Sequence, residues 1–388
     1  MLSSVTVASL VVSIVCLTPA IGLGEPLQTS VNEASPAKRL RHQIEIQNPG
    51  NSPSSARSEE LSTDREPKPI SDLPPKPRGR KATRPAKQVW MKFQKKSGVV
   101  YKQTEDYELK CDLYIPEGEG PFPAIVAIHG GAWRQGTKLT MLRHAWRMAG
   151  SGYVVVAINY RHAPKYPFPA QVHDCKHAIR WMRAEARELK IDTSKIGAFG
   201  YSAGGHLAAM LGTSDSSDGL EGPIDPPHRR VSSRVQAVAA GGAPCDFSWL
   251  RDDSKVLSYW LGGSRSDQPK TYRAASPVTY ISPDDPPFYF FHGEADLLVP
   301  VESSQKLHQA LLKSNVASQH TIAKRSGHLG TFSDLDWMDR SIEFFDKHLK
   351  KATTEPLKQR SSKIESVTPN VSHPLNRPVR ENKTDAST

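Results

Sequence analysis

Between residues 88 and 350 short apolar runs alternate with longer stretches of helical periodicity. Val99-Val100-Tyr101 and the segment from Leu109 to Ile115 alternate apolar with polar side chains, which predicts two early strands, paired antiparallel. Ala124 to Ile128 is apolar at every position, and the run from Tyr153 to Ile158 repeats that character. Runs at Lys195–Phe199, Val235–Ala239, Pro287–Phe291 and Gln319–Ile322 continue the series. Segments apolar on both faces are what strands buried in a parallel sheet look like. The clearest helix covers Ala170 to Leu189, where Val172, Cys175, Ile179, Trp181, Met182 and Ala186 fall close to helical spacing. Such alternation predicts one α/β domain of about 260 residues with a mostly parallel central sheet and helices on both faces. Ligands are expected at the carboxyl ends of its strands.

The two ends read differently. Residues 1–24 carry no charged side chain, and the run Leu10 to Leu17 is too short to span a bilayer. It resembles the apolar core of a secretory signal peptide, with small residues at Gly22-Leu23-Gly24, so a secreted or periplasmic protein is expected. No stable membrane insertion is expected once the signal is removed. From residue 25 to about 87 the chain is rich in Ser, Pro, Lys and Arg and poor in large apolar residues. It cannot bury enough apolar surface to offset its ordering entropy, so a disordered linker is expected, and a tail of the same kind over 351–388. These ends carry more than half of the net charge of +11. The folded part is then only mildly basic, and no nucleic-acid partner is expected. Without Cys16, three cysteines remain, Cys111, Cys175 and Cys245. A Cys175–Cys245 bridge is allowed in an exported protein, but their spacing has no metal signature.

Chemistry concentrates at Gly200-Tyr201-Ser202-Ala203-Gly204-Gly205-His206. An apolar strand before it and a helical run after it make this Gly-x-Ser-x-Gly a nucleophile elbow, a sharp turn that presents the serine oxygen. A serine hydroxyl needs a general base, and the base needs an acid to hold its tautomer. Asp296 follows the Phe-rich strand in Phe291-His292-Gly293-Glu294-Ala295-Asp296, and His328 sits between glycines in a loop beyond the last strand. The order Ser202, Asp296, His328 is the one this architecture uses. Of the rivals, Glu294 is the lesser candidate for the acid. His206 is expected to pack along its helix, His129 to brace a loop and His292 to serve a turn. His129-Gly130-Gly131-Ala132-Trp133, after the Ala124–Ile128 strand, supplies backbone donors for an oxyanion: Gly131 and Ala132, joined by Ala203 after the nucleophile.

These motifs, with Asn159-Tyr160-Arg161-His162-Ala163-Pro164 and Ser202-Ala203-Gly204-Gly205-His206-Leu207-Ala208, make residues 95–350 resemble the esterase/lipase branch of the α/β-hydrolase superfamily. The nearest group is that of exported acetyl- and feruloyl-type carbohydrate esterases. Ala132 stands where lipase-type members carry a third glycine, which favours the carbohydrate-esterase and arylformamidase look. The resemblance implies an α/β-hydrolase fold with small cap insertions. It further implies hydrolysis of small acyl or aryl esters, free or carried on carbohydrate, without metal or organic cofactor.

The same serine would serve an amide hydrolase of arylformamidase or peptidase type. A non-catalytic binding protein on this fold is disfavoured, because all three candidate triad residues are kept. His173 and His177 stand four apart on a helix, yet no third ligand is evident and amphipathic surface is the expected role. Trp133 is a candidate for lining an acyl or aryl pocket and Trp181 for core packing. Residues 212–233 and 246–286 break the strand–helix rhythm, and both are expected to border the active-site mouth.

Overall fold

The computed structural model describes residues 90–350 apart from 250, 251 and 253. The signal peptide, linker and tail expected at 1–24, 25–87 and 351–388 lie outside the described residues. Eight strands form one sheet: β1 (Phe93–Gln103), β2 (Glu108–Pro116), β3 (Phe122–Ile128), β4 (Val154–Ile158), β5 (Ile191–Tyr201), β6 (Ala237–Gly241), β7 (Phe288–Gly293) and β8 (Ser318–Ala323). Their spatial order is β1-β2-β4-β3-β5-β6-β7-β8. β1 and β2 are antiparallel to each other, and β2 runs antiparallel to β4. Every other neighbouring pair is parallel. This is the mostly parallel α/β sheet that the periodicity predicts, in the α/β-hydrolase form that the resemblance implies.

The helices are α1 (Leu142–Gly150), α2 (Ala170–Ala184), α3 (Ala186–Leu189), α4 (Ala203–Thr213), α5 (Lys255–Leu261), α6 (Pro269–Ala274), α7 (Val301–Lys313), α8 (His328–Ser333) and α9 (Leu335–Phe345). They divide between the two faces of the sheet. Along β3, Ala124, Val126 and Ile128 pack with Ile179 of α2, Leu207 of α4 and Leu307 of α7. The intervening Ile125 and Ala127 pack with Met148 of α1 and Ile342 and Phe345 of α9. A strand with helices on both faces has no solvated side, hence its unbroken apolar run. The helix expected over Ala170–Leu189 breaks once, at Glu185, between α2 and α3. Cys111, Cys175 and Cys245 are all buried and free, so the disulfide allowed by the sequence is not formed. No helix among the described residues is long and apolar enough to cross a membrane.

One expectation needs correction. Residues 212–233, expected at the active-site mouth, run from the far end of α4 toward β6, so they lie at the amino-terminal edge of the parallel strands, away from the elbow. Eleven residues of α4 carry the chain about 16 Å from Ser202 into this segment. Glu221 anchors it to α2 through Lys176 at 2.8 Å and through Arg180. The second segment, 246–286, leaves the carboxyl end of β6 and covers the Trp133 side of the strand-end loops.

Candidate active site

Parallel strands β3, β5, β6 and β7 lie in that order and end at one edge of the sheet, where the loops beyond β3, β5 and β7 carry the candidate residues. β5 stops at Tyr201 and α4 starts at Ala203, so Ser202 alone makes the turn, at φ 59 and ψ −126. A non-glycine residue held there costs of order 1–3 kcal/mol and persists only where its surroundings over-determine it. The surroundings here are backbone. The Ser202 N–H donates to Gly241 O at 2.8 Å, and Ser202 O accepts from the His206 N–H at 2.9 Å. A Cβ on Gly200 would lie 2.1 Å from Gly204 O, and one on Gly204 would lie 2.1 Å from Ile128 O. The elbow glycines are therefore required by close approach of the chain to itself.

The loop after β3 runs beside this turn: a Cβ built on Gly130 would meet Ser202 Cβ at 3.2 Å. Gly131, Ala132 and Trp133 follow with φ of 120, 52 and 57. Their conformation turns the chain tightly, and Gly131 O accepts from the Arg134 and Gln135 N–H groups. Among the described residues, no turn or loop hydrogen bond uses the Gly131 or Ala132 N–H. Trp133 is not a pocket-lining residue. It is 3% exposed, its ring stacks on Trp260 at 3.8 Å, and its indole N–H donates to His206 Nδ1 at 3.2 Å. His206 in turn donates from Nε2 to Ala275 O at 2.7 Å, a packing role as expected. His129 braces the loop, stacked on Tyr160 at 4.2 Å, with burial lowering its pKa to about 4.

Asp296 and His328 are brought together. The Asp296 carboxylate is fully buried, and its Oδ2 lies 2.6 Å from His328 Nδ1. Its Oδ1 accepts from the backbone N–H groups of Leu298 at 3.0 Å and Val299 at 2.9 Å. Burial by itself would raise the carboxyl pKa; hydrogen bonds from His292, His328 and the Val299 N–H overcome that and hold it well below the usual carboxylate range. Glu294 is different, paired at the surface with Lys324 and the Arg325 N–H. His328 is the first residue of α8 rather than part of an open loop, capped by Gly327 and buried. Because Asp296 can only accept, His328 carries its proton on Nδ1 and presents the Nε2 lone pair.

Two residues of this cluster escaped the sequence reading. The Tyr201 hydroxyl donates to His328 O at 2.7 Å, with the two rings 5.0 Å apart, so the residue before the serine fixes the backbone of His328. His292 serves more than a turn. Its Nε2 lies 2.9 Å from Val299 O and 3.3 Å from Asp296 Oδ2, both acceptors, so Nε2 carries a proton. Its Nδ1 meets Ser304 Oγ at 2.8 Å, which in turn meets His320 Nε2 at 2.9 Å. The four-residue spacing of His292 and Asp296 was the available signal, but only the fold shows that His292 and His328 reach the same Asp296 oxygen.

Comparison with known proteins finds ester hydrolases among both sequence relatives and solved structures. Over 196 residues the chain is 35% identical to a probable carboxylic ester hydrolase of Mycobacterium tuberculosis, LipM, covering 48% of this chain and 44% of that protein. Over 202 residues it is 31% identical to esterase LipQ of the same organism, covering 50% of this chain and 47% of that one. The chain thus spans a little under half the length of these two relatives. Among solved structures, a truncated carbohydrate esterase from gut microbiota superposes with a TM-score of 0.62 at 26% identity, over 69% of this chain and 99% of that one. The propionate-bound Est2 esterase of Thermogutta terrifontis superposes with a TM-score of 0.55 at 28% identity, over 69% of this chain and 96% of that one. The BD-FAE family model matches residues 111–311, more than half of the chain, and the protein belongs to that family.

Proposed function

We propose that the protein is a serine carboxylesterase acting through Ser202, His328 and Asp296. The observation that carries this reading is the hydrogen bond between buried Asp296 and His328 Nδ1, with His328 held by Tyr201, the residue before a serine at positive φ. Ser202 Oγ attacks the ester carbonyl while His328 Nε2 takes its proton, giving a tetrahedral oxyanion. The N–H groups of Gly131, Ala132 and Ala203 receive that charge; losing one such donor typically costs roughly a hundredfold to a thousandfold in turnover. His328 then returns the proton to the departing alcohol. Water, deprotonated by His328, attacks the acyl-enzyme, and the carboxylic acid leaves as Ser202 regains its proton.

Leu297 and Leu298, beside the acid, and Leu329, beside the base, are 96%, 72% and 70% exposed. Three solvated leucines on the loops that carry the triad favour an apolar acyl or aryl group in the ester. The similarity to a carbohydrate esterase supports a carbohydrate alcohol as the other half. Ser202→Ala is expected to lower hydrolysis of p-nitrophenyl acetate by about 10⁵-fold or more with the melting temperature unchanged. Residual activity within a hundredfold of the native enzyme would exclude Ser202 as nucleophile. A panel of acetylated xylan, feruloyl esters and N-formylkynurenine then separates ester from amide preference.

A further inference from the structure

Away from the elbow, three potential metal ligands from two elements meet at the outer side of α2. The ligand atoms of His177, Asp225 and His228 all lie within 4.8 Å of one another. His177 is a residue of α2 and is 2% exposed. Its Nε2 donates to Tyr101 O of β1 at 3.1 Å, so the lone pair of the neutral ring is on Nδ1. That Nδ1 is buried without a hydrogen-bond partner and sits 3.7 Å from Asp225 Oδ2. His228 Nδ1, from the turn Pro226–His228, is likewise buried and unpartnered, and the two imidazole rings are 5.3 Å apart.

Two buried imidazole nitrogens without hydrogen-bond partners are costly unless something fills the space between them. A cation answers this better than a water, because the Asp225 carboxylate supplies charge that a neutral guest does not need. Ligands about 2.1 Å from a tetrahedral zinc stand roughly 3.4 Å apart, close to the His177–Asp225 separation. The backbone carbonyl on His177 Nε2 is the outer partner that fixes a ligating histidine's tautomer.

We infer that His177, Asp225 and His228 form a structural site for zinc or a similar first-row divalent cation, with water as the fourth ligand. His173, the partner that helical spacing offers, is not one of the three. The bound ion would tie the 212–233 segment to α2 and, through Tyr101, to the edge strand β1. It takes no part in the ester chemistry, since this segment begins at the opposite end of α4 from Ser202.

The test uses full-length, tag-free protein stripped with a chelator and titrated with zinc chloride near pH 7.5. Native protein is expected to bind one equivalent with micromolar or tighter affinity and to melt at a higher temperature when loaded. Cobalt(II) in its place should give the visible absorption band of a tetrahedral site. His228→Ala, on a surface turn, should weaken this binding by at least about a hundredfold and abolish the thermal shift. Asp225→Asn should weaken it less. Labelling of Ser202 by a fluorophosphonate should proceed equally in all forms, which also shows that the variants are folded. No thermal shift and no retained zinc in native protein would overturn the inference. Equal zinc binding by native protein and His228→Ala would place the metal elsewhere and overturn it too.

Discussion

Replacing Asp296 by Asn tests the charge and the tautomer together, because the structure dictates how the new amide must lie. The two backbone donors on Oδ1, from Leu298 and Val299, require an acceptor there. Turning the amide over would leave both facing an NH₂ group, at about 1–3 kcal/mol for each buried group left unsatisfied. The Asn oxygen therefore keeps that position and its NH₂ points at His328 Nδ1, 2.6 Å away in the native protein. Facing a donor, Nδ1 must accept, and the imidazole proton moves to Nε2. The base then presents a proton to Ser202 instead of a lone pair. In serine proteases the corresponding wrong tautomer costs about 10⁴ in kcat, equivalent to about 5.5 kcal/mol of transition-state stabilisation. His292 adds a second penalty, since its Nε2–H also meets the new NH₂ from 3.3 Å. Asp296→Asn should thus lower kcat for p-nitrophenyl acetate by about 10⁴ with KM little changed, and slow fluorophosphonate labelling of Ser202 in parallel. The melting temperature should fall by a few degrees. A variant retaining more than a tenth of native kcat would refute both the tautomer argument and the place of Asp296.

Other substitutions probe the scaffold of the same site. Tyr201→Phe leaves the buried His328 carbonyl without its donor and should cost about 1–3 kcal/mol, with kcat reduced roughly tenfold and KM held. Full native kcat would remove Tyr201 as a positioning residue. Trp260→Ala empties the space against which Trp133 stacks and should destabilise by about 3–5 kcal/mol in chemical denaturation. It should also lower kcat, because the positive-φ loop of Gly131, Ala132 and Trp133 loses its support; unaltered turnover in the folded variant would contradict that coupling. Asp285, half-buried ahead of β7, has its pKa raised to about 6, chiefly by burial. Its raised folded value means full stability below the unfolded pKa of about 3.9, and loss as pH climbs through about 6. Asp285→Asn should match the native protein near pH 4 and exceed it by about 1 kcal/mol at pH 8, the figure being reduced for partial solvent screening. Equal stability at pH 8 would refute the shift.

Much of this protein was legible in its chain, and for definite reasons. Strands covered by helices on both sides must be apolar throughout, so β3 and β4 announce themselves. The elbow is legible partly because Gly200 answers to a contact local in sequence, the Gly204 backbone, although Gly204 itself is pressed against Ile128 of the neighbouring β3. Asp296 and His328 could be named as candidates because parallel topology places the loops after β5, β7 and β8 at one edge of the sheet.

What the chain could not disclose are pairings between residues distant in sequence that no periodicity links. Trp133 looked available to substrate until Trp260, from 127 residues later in the chain, was found stacked on it. Residues 212–233 resembled an active-site insertion, but the direction of α4 delivers them to the other end of the sheet. His177 shows the difference most sharply. Helical spacing points it to His173, whereas the fold sets its free nitrogen against Asp225 and His228, about fifty residues away. Local sequence determines which elements form and which loops carry chemistry, because backbone sterics and burial act over a few residues. Which side chains share an oxygen, a ring face or an ion is decided by packing, where the only requirement is that buried polar atoms find partners.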